Sequence, residues 1–245
     1  MCSNRKNPPR RGCAPSVNTP DGSSGAWRKW KSDILTFIGN DIVDLTDRGN
    51  IGKSKDNRFL QRVFTHPERE RIAAAGSPDT VLWTLWAAKE TAFKVARKMN
   101  PLVASTPRLY PVDLSPGGHG PIRSGMVCTP HGPVAIRVSV AAEYIHCIGS
   151  TMPPDNLDRV LWSGERLPPE EADGDHDPSA AVRRYARLRL AELLRVSAVD
   201  VAVRRRQDMH GLGPPRFYLN GKPAPFDLSL SHDGAYVAYA MIPAT

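Results

Sequence analysis

The sequence predicts an α+β protein made of two halves, each with an antiparallel sheet and packed helices. The predicted elements run in the order strand, helix, helix, strands, linker, helix, strands. Residues 138–142 resemble residues 228–232, and each segment precedes an apolar strand that contains tyrosine. So short a match leaves two interpretations open: the halves are distant copies of one unit, or they are unrelated.

Composition and charge restrict the class of protein. The chain has 245 residues, of which 40% are hydrophobic, and no apolar run is as long as a membrane span. Residues 1–30 are basic and rich in Pro, Ser and Gly, so we expect a disordered tail and not a secretory signal. The net charge of +8 predicts anionic partners such as acidic proteins, phosphorylated small molecules or nucleic acid.

The first half is predicted to span residues 31–150. A short apolar strand that ends in acids comes first, then two helical segments, then strands separated by Pro/Gly turns, at residues 35–45, 57–75, 80–98 and 108–150. Thr65 fits a helix N-cap with Glu68 three residues later, which is a capping-box pattern. Pro101 ends the second helical segment.

The second half is predicted to span residues 180–245. Residues 151–179, which precede it, carry five prolines and a cluster of acids, so we expect a linker or a surface excursion there. An Arg-rich helix and three strand segments follow, at residues 180–195, 199–203, 215–219 and 226–242.

Asp41, Glu90 and Lys94 are the first candidates for chemistry. Asp41 lies on the apolar strand, and Glu90 and Lys94 are one turn apart on the predicted helix. Two carboxylates from separate elements can hold a hard cation such as Mg²⁺, and a lysine beside them can reach a phosphate on that cation. Two plainer interpretations stay open: Asp41 and Asp44 are strand-end turn residues, and Glu90 and Lys94 form an exposed helix pair.

Ser231 and His232 are the second candidates. They precede Asp233 and Gly234 at a predicted strand end, where small hydroxyls, a histidine and a tight turn suit phosphate oxygens. A catalytic Ser-His-Asp triad does not fit, because adjacent residues cannot face one another as a triad requires. The plain alternative is an ordinary hairpin.

Other residue classes exclude some functions. The four cysteines include no C-x-x-C pair, so the sequence predicts no zinc site, and we expect a reducing cytoplasm. The arginine run at residues 204–206 is typical of solvated surface. No zinc-finger, RNA-recognition or helix-turn-helix pattern supports nucleic-acid binding.

Four segments together resemble the 4′-phosphopantetheinyl transferase superfamily. Residues 38–44 resemble its G-x-D-I-V-[DE] motif, and residues 86–94 resemble its [FW]-x-x-K-E-[AST]-x-x-K motif. Residues 62–68 resemble the R-[IV]-[FL]-T-x-x-E segment of the short holo-acyl-carrier-protein synthases. Residues 228–233 resemble the [IL]-S-[IL]-S-H-[DT] motif. Four motifs in one chain are far more specific than any one of them.

The resemblance implies the family's fold, here as a pseudo-dimer of two halves with one remaining site. The metal motifs occur in the first half and Ser231-His232 in the second, which reverses the order of the long surfactin-type transferases. The first half has Val140, Ala141 and Ala142 where a Ser-His pair is expected, and the second half has no G-x-D or K-E motif. Each half has lost what the other keeps, so we expect a monomer.

The resemblance also implies an activity. The enzyme would be a holo-[acyl-carrier-protein] synthase, which moves 4′-phosphopantetheine from coenzyme A to a serine of an acyl or peptidyl carrier protein. Asp41 and Glu90 would hold Mg²⁺, Lys94 would contact a phosphate, and Glu90 or a metal-bound water would take the serine proton. Carrier proteins of this kind are acidic, which suits the positive charge of the chain.

Coenzyme A would be bound by Ser231 and His232 together with Lys94, and Arg183 and Arg184 are further candidates by the same resemblance. Two other hypotheses stay open. A non-catalytic coenzyme A or nucleotide-binding protein of this fold would not need the metal and base residues that the chain carries. A basic nucleic-acid-binding protein would bind with a steep salt dependence.

Three positions depart from the family pattern. Asn40 stands where Ile or Val is usual, and Val43 stands where the long enzymes carry a second metal-site acid. We therefore expect metal coordination closer to the short type. Pro214 replaces the common Lys or Arg of a G-[KR]-P segment, and Arg216 and Lys222 are the candidates to replace that cation.

Overall fold

The computed structural model describes residues 36–115, 121–168, 177–209 and 211–244 of the chain. The tail predicted for residues 1–30 lies outside the described residues. The helices are α1 (Asn57–Val63), α2 (His66–Ala73), α3 (Pro78–Met99) and α4 (Pro178–Leu194). The strands are β1 (Ile38–Asp44), β2 (Val112–Leu114), β3 (Ile122–Thr129), β4 (Gly132–Val140), β5 (Tyr144–Ser150), β6 (Leu161–Arg166), β7 (Val201–Asp208), β8 (Gly211–Leu219), β9 (Lys222–Pro223), β10 (Phe226–Asp233) and β11 (Tyr236–Pro243).

The strands form three antiparallel sheets. One sheet has the order β1-β5-β4-β3-β2, a second has the order β10-β11-β6, and a third has the order β7-β8-β9. Helix α3 packs against β1, β5 and β4, and helix α4 packs against β7, β10 and β11. The predicted α+β class, with antiparallel sheets and packed helices, is confirmed. Among the described residues, no helix combines the length and apolar character that crossing a bilayer requires.

Strand β1 is buried on both faces because it lies between helix α3 and the β10-β11-β6 sheet. Its odd-numbered residues face the helix: Val43 belongs to the core under α3, and Asp41 pairs with a lysine of α3. Its even-numbered residues face the other sheet, where Ile42 packs with Tyr236 and Ala238. This two-residue alternation fixes which side chains of β1 can belong to a site on the helix side.

A polar seam joins β1 to β10. Backbone N–H groups of β1 donate to β10 side chains at a constant offset of 189 positions: Ile38 to Asp227 at 2.7 Å, Asn40 to Ser229 at 2.9 Å and Asp44 to Asp233 at 2.8 Å. The constant offset shows that the two strands run side by side in the same direction. In return, Ala235 N–H donates to the Asp44 carboxylate at 2.9 Å. The seam satisfies donors that an edge strand would otherwise leave without partners.

Most predicted elements are present, with three differences. Residues 57–75 form two helices, because Phe64 is extended and Thr65 is the N-cap of α2, where the Thr65 N–H donates to Glu68 at 2.8 Å. Residues 151–179, expected to be a linker or an excursion, include strand β6, which pairs with β11; residues 169–176 lie outside the described part. Residues 226–242 form a hairpin of two strands rather than one strand.

The two halves share a connection order. The order β1-β5-β4 in the first half matches β6-β11-β10 in the second, and a helix follows the first strand of each half. In the hairpins, Val140 pairs with Ile145 as His232 pairs with Val237. The hairpin register aligns Val140 with His232, which differs by two residues from the sequence alignment of residues 138–142 with residues 228–232. That the halves form a pseudo-dimer stays a prediction.

Candidate functional site

Gly39 allows helix α3 to approach β1 closely. A Cβ atom at Gly39 would lie 2.3 Å from the carbonyl oxygen of Thr91 and 3.0 Å from Val95. Any larger residue would therefore separate the strand from the helix. Asp41 lies two residues along the same face of β1, so this close contact brings its carboxylate to the helix.

Lys89 fixes helix α3 from the opposite side. Its side chain is 1% exposed, pairs with Glu68 at 2.9 Å and donates to the carbonyl oxygens of Tyr110 at 2.9 Å and Pro107 at 3.2 Å. Burial lowers the pKa of Lys89, while Glu68 raises it. The lysine before Glu90 therefore stabilises the fold. The segment of residues 62–68 supplies its partner carboxylate.

Lys94 contacts residues of both halves, including Asp41. Its ammonium group lies 2.8 Å from Asp41 Oδ1, 2.8 Å from the Asn40 carbonyl oxygen and 3.5 Å from the Leu230 carbonyl oxygen. The interpretation of Glu90 and Lys94 as only an exposed helix pair is therefore wrong for Lys94. Asp41 is not a turn residue either, whereas Asp44 ends β1 and accepts from Thr46 N–H at 2.8 Å.

Glu90 is a partly buried carboxyl group beside Asp41. Burial, followed by the negative charge of Asp41, raises the pKa of Glu90 from 4.5 to about 7, against the opposing charge of Lys94. Burial also raises the pKa of Asp41, and Lys94 opposes that shift. A carboxyl group whose ionisation is disfavoured by burial and by a neighbouring carboxylate is stabilised in its charged form when a cation is added.

Residues of both halves line a cleft of about 350 Å³ beside these groups. From the first half, Glu90 and Lys94 line it. From the second half, Ser231, His232 and Arg183 line it. The cleft therefore collects five of the seven predicted site residues from positions far apart in the chain. Asp41 is not among the lining residues, but it pairs with Lys94, which is.

Ser231 and His232 have different surroundings within this cleft. Ser231 is buried, and its hydroxyl accepts from the side-chain amide of Asn40 at 3.0 Å. His232 is exposed, and its Nε2 lies 3.1 Å from the hydroxyl of Ser179 at the start of α4. Ser231 therefore also belongs to the seam, whereas the His232 ring is exposed at the cleft.

Arg183 lines two cavities, and Arg184 lines one of them. Arg183 lines the cleft and pairs with Asp177 at 3.0 Å. The Arg184 guanidinium lies 5.2 Å from the centre of the Tyr185 ring, and Arg184 lines a second groove on α4 that Arg183 and Arg204 also line. The structure therefore places Arg183, and not Arg184, with the other site residues.

Sequence reasoning missed several residues that line the cleft: Arg97, Lys98, Ser179 and Arg205. Lys98 follows Lys94 by one helical turn, and this spacing was the signal available in the sequence. Arg205 lies within the arginine run that we assigned to solvated surface, yet its Nε donates to the Gly213 carbonyl oxygen at 2.8 Å. Arg205 and Pro214 line the same cleft, so Arg205 supplies a cation that Pro214, at the usual Lys or Arg position, does not. The candidates Arg216 and Lys222 are not among the residues that line the cleft.

The site suits a magnesium ion held by few protein ligands. Within the described residues, no group of three or more His, Cys, Asp or Glu side chains is arranged to hold a metal. Mg²⁺ commonly uses one or two carboxylates and takes its other ligands from water and phosphate. Asp41 and Glu90 fit that pattern, and the Lys94 ammonium at 2.8 Å shows that Asp41 already holds a positive charge.

Comparison with known protein families agrees with the residues that carry this geometry. Residues 37–148 match the family model of the 4′-phosphopantetheinyl transferase superfamily. The matched segment runs from the start of β1 into β5 and includes Asp41, Glu90 and Lys94. The family expected from the motifs is therefore confirmed over this segment. No curated protein matches the chain.

Proposed function

Because residues 37–148 match the family model of the 4′-phosphopantetheinyl transferase superfamily, we propose that the chain transfers 4′-phosphopantetheine from coenzyme A to a carrier-protein serine. Phosphopantetheine transfer follows from the superfamily. The proposal adds coenzyme A as donor, Mg²⁺ as cofactor, an acidic acyl or peptidyl carrier protein as acceptor, and the cytoplasm as location. It makes the protein a holo-[acyl-carrier-protein] synthase.

In the proposed reaction the serine oxygen of the carrier attacks the pyrophosphate phosphorus that bears pantetheine. The bond from that phosphorus to the bridging oxygen breaks, and adenosine 3′,5′-bisphosphate leaves with the bond electrons. The serine proton would pass to Glu90, the carboxyl group that lines the cleft and is the candidate general base. The products are the phosphodiester on the carrier and the bisphosphate.

The cation and the lysine would stabilise the charge on the leaving group. Asp41 and Glu90 would hold Mg²⁺, which neutralises negative charge on the pyrophosphate. Lys94 would contact a phosphate oxygen, because it lines the cleft and carries a positive charge. Arg183 and Arg205 add cations from the second half on the same cleft, which suits the several phosphate groups of coenzyme A.

The observation that carries the proposal is the shared cleft. Glu90 of α3 and His232 of β10 line one cavity although they lie 142 positions apart in the chain. A site completed by both halves supports the proposed monomer with one active site per chain. A non-catalytic coenzyme A-binding protein would have no need of a carboxyl group with a raised pKa beside a second carboxylate.

The test is incubation with coenzyme A, Mg²⁺ and an apo carrier protein, followed by intact-mass measurement of the carrier. We expect the carrier to gain the mass of one phosphopantetheine group, and Glu90→Gln to give no gain. Lys89→Met is not a suitable control, because Lys89 stabilises the fold. Arg137→Gln is suitable, because Arg137 pairs with Asp158 at the surface and lies outside the residues that line the cleft. Binding of coenzyme A without transfer would favour the non-catalytic alternative.

A further inference from the structure

Lys94 and Lys98 make two equivalent sets of contacts across the seam between β1 and β10. The Lys94 ammonium contacts the carbonyl oxygens of Asn40 and Leu230 and the carboxylate of Asp41. The Lys98 ammonium contacts the carbonyl oxygen of Ile38 at 2.7 Å, that of Leu228 at 2.8 Å and the carboxylate of Asp227 at 2.8 Å. Each lysine therefore bridges one carbonyl of β1, one carbonyl of β10 and one acid.

The repeat of this pattern follows from the spacing of the two kinds of element. Four residues of an α-helix rise by about 6 Å, and two residues of a β-strand rise by about 6.6 Å. A step from Lys94 to Lys98 therefore matches a step of two residues along each strand. We call Lys94 and Lys98 the lysine clamp, since together they hold the seam from the helix side.

The two members of the lysine clamp differ in their surroundings. The side chain of Lys98 is 6% exposed, and its acid, Asp227, also accepts from Ile38 N–H within the seam. The side chain of Lys94 is 30% exposed, and its contact to Leu230 is long, at 3.5 Å. Its acid is Asp41, which is also the candidate ligand of a divalent cation. Lys98 is therefore held firmly by both strands, whereas Lys94 has a longer contact to β10 and a partly exposed side chain.

We propose that Lys94 is the exchangeable member of the lysine clamp: a divalent cation that binds Asp41 displaces its ammonium group into the cleft, while Lys98 stays on the seam. This inference rests on the proposed function. The Lys94 ammonium lies 2.8 Å from Asp41 Oδ1 and would repel a second cation at the same carboxylate, so ammonium and metal compete for Asp41. The displaced ammonium then faces the space that a phosphate would occupy.

The direct test observes the two ammonium groups in the intact protein. Nitrogen-15 labelling of lysine gives side-chain ammonium signals, which the variants Lys94→Met and Lys98→Met assign. On addition of Mg²⁺ without coenzyme A, we expect the Lys94 signal to shift or to be lost by faster proton exchange, and the Lys98 signal to stay unchanged. An unchanged Lys94 signal, at a Mg²⁺ concentration that calorimetry shows to be saturating, would overturn the exchange.

A binding measurement provides the second test. We expect Lys94→Met to bind Mn²⁺ about tenfold more tightly than the unaltered protein in the absence of coenzyme A, because the competing cation is gone. Lys98→Met removes an equal charge one turn away and should change the affinity by no more than about twofold. Equal effects of the two variants would reduce the role of Lys94 to general repulsion and overturn the proposal.

Mn²⁺ binding by the variants distinguishes a failure of the proposed metal site from a failure of the exchange alone. If Asp41→Ala binds Mn²⁺ as well as the unaltered protein does, the metal site itself is wrongly assigned, and the exchange fails with it. If Asp41→Ala loses Mn²⁺ binding but Lys94→Met binds no more tightly than the unaltered protein, only the exchange fails.

Discussion

The carboxylate of Asp41 on β1 raises the pKa of Glu90 on α3, so the ionisation of Glu90 depends on the charge of a residue from a separate element. Burial is the larger cause of the shift to about 7, and the Asp41 charge adds to it. Lys94 pairs with Asp41, and its charge lowers the pKa of both acids. The stability of the free enzyme therefore depends on the ionisation of Glu90.

Replacing Glu90 with Gln should raise stability near neutral pH while removing transfer. Because the folded protein keeps the Glu90 proton between pH 4.5 and about 7 and the unfolded chain releases it, stability falls as pH rises through that range. Gln does not ionise, so the variant should gain roughly 2 kcal/mol over the unaltered protein at about pH 8 and little at about pH 4.5. Denaturant unfolding at the two pH values measures the gain. A constant difference at both pH values would contradict the assigned environment of Glu90.

Replacing Gly39 with Ala should damage both the fold and the site. The new methyl group would overlap the Thr91 carbonyl oxygen, so α3 must move away from β1. We expect a loss of about 1–3 kcal/mol in unfolding free energy and a large loss of transfer. Gly76→Ala is the matched control, since a Cβ at Gly76 meets no atom within 4 Å. A Gly39→Ala protein with unchanged melting temperature would show that the strand-to-helix contact is looser than described.

The sequence predicts local features of this fold well. Strand β1, helix α3 and the Thr65-Glu68 cap follow from apolar alternation, helical spacing and cap chemistry within a few residues of each feature. The site residues Asp41, Glu90 and Lys94 were also predicted, because the motifs that carry them are continuous in the chain. Such features depend on near neighbours, which the sequence displays directly.

Long-range pairing was not predictable in the same way. Strand β6 lacks regular alternation, and it becomes a strand only because β11 provides its hydrogen-bond partners. The roles of Lys98 and Ser231 depend on the seam, in which residues 189 positions apart lie side by side. Arg205 is exposed on β7 as expected, but nothing near it in the chain indicates that it also lines the cleft.

Substitutions at Ser231 and His232 should separate a seam residue from a ligand-binding residue. Ser231→Ala leaves the Asn40 amide without its 3.0 Å partner in a buried position, so we expect a loss of about 1–2 kcal/mol in stability. His232→Ala should leave the melting temperature nearly unchanged, because the ring is exposed, and should weaken coenzyme A binding by about tenfold. Thermal unfolding and calorimetric titration measure the two effects. The reverse result, with His232 stabilising and Ser231 binding, would refute the division.

The last prediction concerns the number of sites in the chain. The pairing register makes Val140 the counterpart of His232, and Tyr144 that of Tyr236. Since Asp44 pairs with Tyr144 and Arg166 pairs with Tyr236, the same count along β1 and β6 makes Ser163 the counterpart of Asp41. By the same correspondence, a histidine placed at Val140 would have Ser163 as the counterpart of Asp41, and the Ser163 hydroxyl already donates to Glu165 at 3.1 Å.

We accordingly expect Val140→His to leave coenzyme A binding unchanged and to give no recovery when it is combined with His232→Ala. The unaltered protein should bind one coenzyme A per chain and sediment as a monomer, because both halves of its one site belong to the same chain. Calorimetric titration gives the stoichiometry, and sedimentation gives the mass at the same concentration. Two coenzyme A molecules per chain, or transfer that rises with self-association, would contradict a single site completed by both halves.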